Sequence, residues 1–248
     1  MFAEKFRALA RTRALAACLA AGLAATAATP SLAASGTASF IVVHGIPGRD
    51  VGASLDPALP VDVLVAGSLC LLKSFTFGDI AGPFDVPSGT YSVAISLANP
   101  ISPCSGSPVI SASVTLNPGD YDAIVAQLNS QAAPAAGVYP IDVTPVGAGN
   151  QRVVTIHAAD APEVSVKAVS LGPKREAVEF KIKPGQTIEN TVPTRQGFFF
   201  TLHSLGTLVA GPIESLNAGD QSLIFTAAVG NASSGSVTIL TKLIRSVF

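Results

Sequence analysis

The sequence predicts an all-β protein: two tandem antiparallel β-sandwich domains, immunoglobulin-like or prealbumin-like, following a cleaved signal peptide. Three observations carry that prediction. Apolar residues alternate with period 2 in several short runs, clusters of Gly, Pro, Asn and Asp separate those runs, and the landmarks of the first half return in order in the second. Composition agrees, with 22 Gly, 18 Pro, 48% hydrophobic residues and only 12% charged ones in 248 residues. A disordered chain would be more charged and less apolar. A nucleic-acid binder would be basic, whereas 15 basic side chains here meet 16 acidic ones.

The N-terminus fixes the expected compartment. Lys5, Arg7, Arg11 and Arg13 stand against a single Glu4, the apolar run Ala14 to Ala28 follows, and Thr29-Pro30-Ser31-Leu32-Ala33 closes the segment. A basic region, an apolar region and a small-residue cleavage site make a secretory signal peptide over 1–33. Cleavage is placed after Ala33, with Ala27 and Ala34 as alternatives. The apolar run contains Gly22 and Thr26 and falls short of the roughly 20 strongly apolar residues a spanning helix needs. Leu15-Ala16-Ala17-Cys18 has the form of a lipobox, but only four residues separate Cys18 from Arg13, so Cys18 reads as an ordinary residue of the apolar region. Removing 1–33 takes away four basic residues and one acidic one, moving the net charge from −1 to −4. The expected location is secreted or periplasmic, with association at the cell surface as an option. No transmembrane span remains after cleavage, and the mildly acidic balance disfavours nucleic acid.

Cys70 and Cys104 then remain as an even pair without CxxC spacing. In an oxidising compartment they read as one structural disulfide. Closing a loop of this length stabilises the fold by roughly 3 to 4 kcal/mol in the chain-entropy model.

The repeat appears when the chain is compared with itself. Phe40-Ile41-Val42-Val43-His44 returns as Val153-Val154-Thr155-Ile156-His157, and Pro60-Val61-Asp62-Val63 as Glu163-Val164-Ser165-Val166. Val86-Pro87 matches Val192-Pro193, and Leu116-Asn117-Pro118-Gly119-Asp120 matches Leu216-Asn217-Ala218-Gly219-Asp220. Two homologous units follow, 36–147 with the disulfide and 148–248 more divergent, divided near Pro145 to Asn150. The first carries two insertions, Gly48 to Leu59 and Asn99 to Pro108, the latter holding Cys104. Each unit, of seven or so short strands, is long enough to bury its own core. Tyr91, Val93, Ile95 and Leu97 alternate with polar or small residues, as do Ile110, Ala112, Val114 and Leu116, so one face packs and the other meets solvent.

The runs Phe40 to Pro47, Pro60 to Val65, Val86 to Val93 and Leu116 to Tyr121 resemble the bacterial family called domain of unknown function 4397. The likeness covers nearly all of residues 38 to 130, and His157 to Val166 stays close to the family opening. Pro193 to Phe198 departs from it, because the Pro-x-Gly-x-Tyr turn is stretched there. The resemblance implies secreted β-sandwich modules, often in tandem, with no assigned activity. It supplies no catalytic residues.

The search for chemistry yields no catalytic, cofactor or metal site. His44 and His157 end equivalent strands, but neither has a second His or Cys at ligand spacing, so each is expected to hydrogen-bond a neighbouring loop and fix the strand-to-loop corner. Asp120 and Asp220 read as turn caps. Asp62 points away from the face of Val61 and Val63, and its counterpart Ser165 lacks a carboxylate. Asp120 and Asp122 flank Tyr121 without the spaced oxygens of a Ca²⁺ loop. Phe198-Phe199-Phe200 reads as a core strand, with a face that contacts the other unit or a partner as the sharper alternative. Asn231-Ala232-Ser233 fits the glycosylation triplet weakly. Lys242 and Ser246 break the alternation leading to Phe248, against an outer-membrane barrel. No Gly-x-Ser-x-Gly elbow, HExxH or phosphate loop occurs. The expectation is therefore a non-enzymatic, exported binding or structural module for an unidentified protein or glycan of the envelope or extracellular space. Gly45 to Leu59 and Asn99 to Pro108 are its candidate ligand loops. A secreted metal carrier or enzyme using His44 or His157 is the alternative.

Overall fold

The computed structural model describes residues 36–171, 177–194, 198–204, 206–214 and 222–244. The signal segment 1–33 with Cys18, cleavage at Ala33 or Ala34, the turn cap Asp220, and Phe248 all lie outside these residues.

The first repeat contributes β1 (Thr37–His44), α1 (Gly48–Val51), β2 (Val61–Val65), β3 (Leu69–Phe75), β4 (Ile80–Pro87), β5 (Gly89–Leu97), β6 (Pro108–Leu116), β7 (Tyr121–Leu128) and β8 (Pro134–Pro140). The second contributes β9 (Asn150–His157), β10 (Val164–Ser170), β11 (Ala177–Ile182), β12 (Thr187–Pro193), β13 (Phe198–Ser204), β14 (Thr207–Glu214), β15 (Leu223–Val229) and β16 (Thr238–Ile244). Each repeat folds into two four-stranded sheets of matching order, β3-β2-β5-β6 with β4-β1-β7-β8, and β11-β10-β13-β14 with β12-β9-β15-β16. These are open sheets rather than a barrel. Pairing is antiparallel except for β1 with β7 and β9 with β15, which run parallel. Among the described residues each repeat has eight strands, in line with the seven or so that the sequence suggests.

Strand periodicity decides where the side chains go. In β5, Val93 and Ile95 are buried, and in β6, Ile110, Val114 and Leu116 are, so these outer strands pack one face only. β1 behaves differently. Phe40 and Val42 enter the core shared with β2, β5 and β6, while the intervening Ile41 and Val43 enter a second core on the opposite face. That second core also holds Ala123 and Val125 of β7, Val154 and Ile156 of β9, and Phe225 and Ala227 of β15. The alternate residues of the second repeat, Val153 and Ile224, join Val166 and Phe200 in a third core. The four sheets therefore stack face to face, and the two central ones are covered on both sides. The expectation that each unit buries its own core is incomplete: a further core lies between the units, built from apolar residues on the second face of β1, β7, β9 and β15.

Polar contacts register the two repeats. Lys242 of β16 donates through Nζ to the carbonyls of Ile80 and Gly82 at 2.8 and 2.9 Å, satisfying acceptors on the edge strand β4. Gly230 N–H donates to Gly45 O at 3.2 Å, and Ser236 Oγ donates to Asp50. Gly45 is required there: a Cβ would come within 2.9 Å of both Ala126 O and Val229 Cγ1. The connection from β8 to β9 is clamped by Arg152. Its guanidinium pairs with Asp142 and with Glu189 at 2.7 Å, and donates to Thr144 O at 2.9 Å. Arg152, with help from Thr144, pulls the Asp142 carboxyl down to about 2.

Phe198 and Phe200 are buried in the third core, as the core-strand reading has it. Phe199 is 38% exposed on the outer sheet, so the alternative of a contact between units is corrected. That contact is made by β1 and β7 against β9 and β15.

Candidate functional site

The two histidines build equivalent corners. His44 is buried at the end of β1, where its Nε2–H donates to Leu59 O at 2.9 Å and its Nδ1 accepts from Ile46 N–H at 3.4 Å. His157, fully buried at the end of β9, donates in the same way to Pro162 O at 2.9 Å. Burial is the largest influence on both rings and lowers their pKa, against the opposing pull of the carbonyls each one bonds. Both therefore stay neutral in neutral solution, with a proton on Nε2 fixed by the carbonyl. The structure does not bring the pair together. His44 lines an apolar cavity in the first sandwich, and His157 lines a cleft of mixed polarity at the junction of the repeats.

The first repeat's two insertions meet at one end of its sandwich. This follows from register: β2 begins at Val61, opposite Leu97 at the end of β5, so the segment before β2 and the loop after β5 are neighbours. The loop after β5 is tied to β3 by the disulfide, with the Cys70 and Cys104 Cα atoms 5.8 Å apart. A second tie comes from Asp62, which is 1% exposed. One of its carboxylate oxygens accepts from Ser74 N–H at 3.0 Å, and the other accepts from Asn99 and Cys104 N–H at 3.1 and 2.9 Å. Burial pushes this carboxyl's pKa up, but the three amides together with Lys73 outweigh it and hold the value below the ordinary carboxylate range. Ser74 and Cys104 sit at φ 49° and 62°, a region non-glycine residues rarely adopt, and their bonds to Asp62 help hold them there. Sequence reasoning missed this hub. The only signal was that the carboxylate occurs in the repeat with the cysteines, while the other has Ser165.

Beneath the first insertion lies a cavity of about 190 Å³. Val51, Leu55 and Leu59 of the insertion cover it, and Val61, Ile95 and Ile110 form its walls. The cleft at the neighbouring corner is larger, about 650 Å³, and draws Gln127 and Asn129 from the first repeat and Asp160, Pro184 and Asn231 from the second.

The remaining candidates have structural surroundings. Asp120 accepts from the backbone N–H of Asn117 at 2.6 Å and from its side-chain amide at 2.9 Å, closing the turn into β7. Asp122 is buried, and burial and then Asp120 push its carboxyl up to about 6. Asn231 is 6% exposed and its Oδ1 accepts from Ser233 N–H and Oγ, so the triplet's amide is packed into a turn rather than presented for glycosylation. Among the described residues no group of three or more His, Cys, Asp or Glu is placed to hold a metal ion, and no helix is long and apolar enough to cross a membrane.

Comparison with known proteins gives one family match. The family model described as "Domain of unknown function (DUF4397)" matches residues 38–167, which span the first repeat and the opening strands of the second. No curated protein matches the chain. Among solved structures, the Bacillus anthracis TIE protein is similar at 6% identity and TM-score 0.24, over 84% of this chain and 34% of that one. A leucine-rich repeat protein from Bacteroides thetaiotaomicron is similar at 10% identity and TM-score 0.22, over 78% of this chain and 26% of that one. Putative polysaccharide binding proteins (DUF1812) from the same organism follow at 8% identity and TM-score 0.19, covering 77% and 91%. The chain thus spans about a third or less of the first two of these structures.

Proposed function

We propose that this chain, which belongs to the DUF4397 family, is an exported, non-enzymatic tandem β-sandwich module that binds a partner of the envelope or extracellular space through the loops at one end of its first repeat. The observation that carries this reading is the state of the two histidines. Both are buried and donate Nε2–H to backbone carbonyls, and His44 also accepts at Nδ1, so Nε2 of neither ring is available to a metal or a substrate and only the buried Nδ1 of His157 is left without a partner. Export is supported by the basic-then-apolar N-terminus and by the disulfide, a bond typical of oxidising compartments. The choice of end is supported by the two insertions that converge there, since function on sandwiches concentrates in end loops.

The test is metal analysis of residues 34–248 after incubation with Zn²⁺, Cu²⁺ or Ca²⁺ and desalting. No stoichiometric metal is expected on the folded chain. One equivalent retained by the wild type would overturn the reading in favour of a secreted metal-binding protein or enzyme. The variant that releases it, His44→Gln or His157→Gln, would then identify the ligand.

A further inference from the structure

We propose that the cavity at the end of the first sandwich is a binding site for a small uncharged apolar molecule, about the size of a benzene ring or a short hydrocarbon. The inference rests on the binding-module reading and names the ligand class of that same end.

Volume is the first argument. Protein interiors leave few voids larger than a water molecule, and an apolar cavity of about 150 Å³ stays dry and admits benzene. The cavity here is about 190 Å³. The fold does not require it, because the second repeat turns the same corner directly through Ala158 to Pro162. Only the first repeat adds a segment, and that segment puts Val51, Leu55 and Leu59 over the sandwich end without filling it.

The lining gives the chemistry. Its only polar side chain is His44, whose two ring nitrogens are already engaged by Leu59 O and Ile46 N–H. No side-chain donor or acceptor of the lining remains free to hold a polar ligand. No Lys, Arg, Asp or Glu lines the cavity, so a carboxylate or ammonium head would enter without a counter-charge. The ligand is therefore uncharged, which disfavours a fatty acid. Access comes from the rim, where Leu97 and Val109 are 45% and 53% exposed. A ligand entering there covers apolar surface now facing water.

The experiment is a titration of residues 34–248 with toluene and, separately, with octanoate, followed by methyl NMR. Toluene is expected to produce saturable shifts at Ile46, Leu55, Leu59 and Ile95, with Val166 and Leu202 of the third core unmoved. Val109→Trp, a change at an exposed rim position, is expected to weaken toluene at least tenfold. Val109→Lys serves if the larger residue disturbs folding, and the methyl spectrum of the third core checks that both variants are folded. Octanoate is expected to bind more weakly than toluene. Absence of saturable shifts with toluene, or unchanged affinity in a folded rim variant, would overturn the site. Tighter binding of octanoate would overturn the uncharged ligand class. None of these outcomes bears on the metal test, so failure of the cavity and failure of the module reading are told apart.

Discussion

Replacing Phe225 with Ala is expected to destabilise the protein by about 3–5 kcal/mol. Phe225 is fully buried in the core between the repeats, on a strand whose neighbours on both faces are apolar. Removing its ring forfeits the transfer free energy of the aromatic group and leaves a void that the two central sheets can close only by shifting toward each other. The polar registers Lys242 to Ile80 and Gly230 to Gly45 oppose that shift. A domain of ordinary stability has about 5–15 kcal/mol in total, so this single change removes a large share. Phe199→Ala is the control. Its ring is 38% exposed on the outer sheet, and the change is expected to cost no more than about 1 kcal/mol. Urea titrations of the two variants check the contrast.

Asp62→Ala is expected to cost about 2–3 kcal/mol, because it leaves the part-buried N–H groups of Ser74, Asn99 and Cys104 without their acceptor. Asp62→Asn keeps one acceptor oxygen and is expected to cost roughly half as much. The pH dependence has a definite sign. The folded carboxyl lies below its unfolded value of about 3.9, so its contribution is fully present above that value and is lost as pH falls through the folded one. The gap between wild type and Asp62→Asn is therefore expected to be constant near neutrality and to narrow in acid. Because Asp62 and the Cys70–Cys104 bond restrain the same loop, Asp62→Asn combined with reduction of the disulfide is expected to deviate from additivity.

Much of this architecture was legible in the sequence. The alternation in β5 and β6, the turn chemistry at Asn117 to Asp120, the repeated landmarks and the disulfide pair all gave local or ordered signals, and the structure places sheets and bond accordingly. The middle core was legible in principle. Phe40-Ile41-Val42-Val43 and Leu223 to Val229 are nearly unbroken apolar runs, the mark of strands covered on both faces, whereas a strand with one wet face alternates. Other features were beyond a local reading. The donors to Asp62 lie 12, 37 and 42 positions away, so no nearby pattern reveals that its carboxylate is caged. Lys242 looks like an interruption of a strand until the carbonyls of β4 are found opposite it. The cavity depends on how completely Val51, Leu55 and Leu59 fill the space beneath them, a property of packing and not of composition. The corner role of the histidines was readable from their equivalent positions, although the carbonyls they meet, Leu59 and Pro162, required the fold.

The claim on which the rest depends is that two sandwiches share a buried middle core and so form one body, which fixes the corners and loops at the end of the first repeat. Denaturant unfolding of residues 34–248 tests it directly, because the three tyrosines, Tyr91, Tyr121 and Tyr139, all lie in the first repeat and the chain has no Trp. Tyrosine emission reports the first repeat together with its side of the middle core, where Tyr121 and Tyr139 lie, and a Phe199→Trp variant, altered at a partly exposed position, reports the far sheet of the second. The account predicts one transition with coincident midpoints for both probes. Two separated transitions, with one repeat remaining folded after the other has been lost, would contradict it.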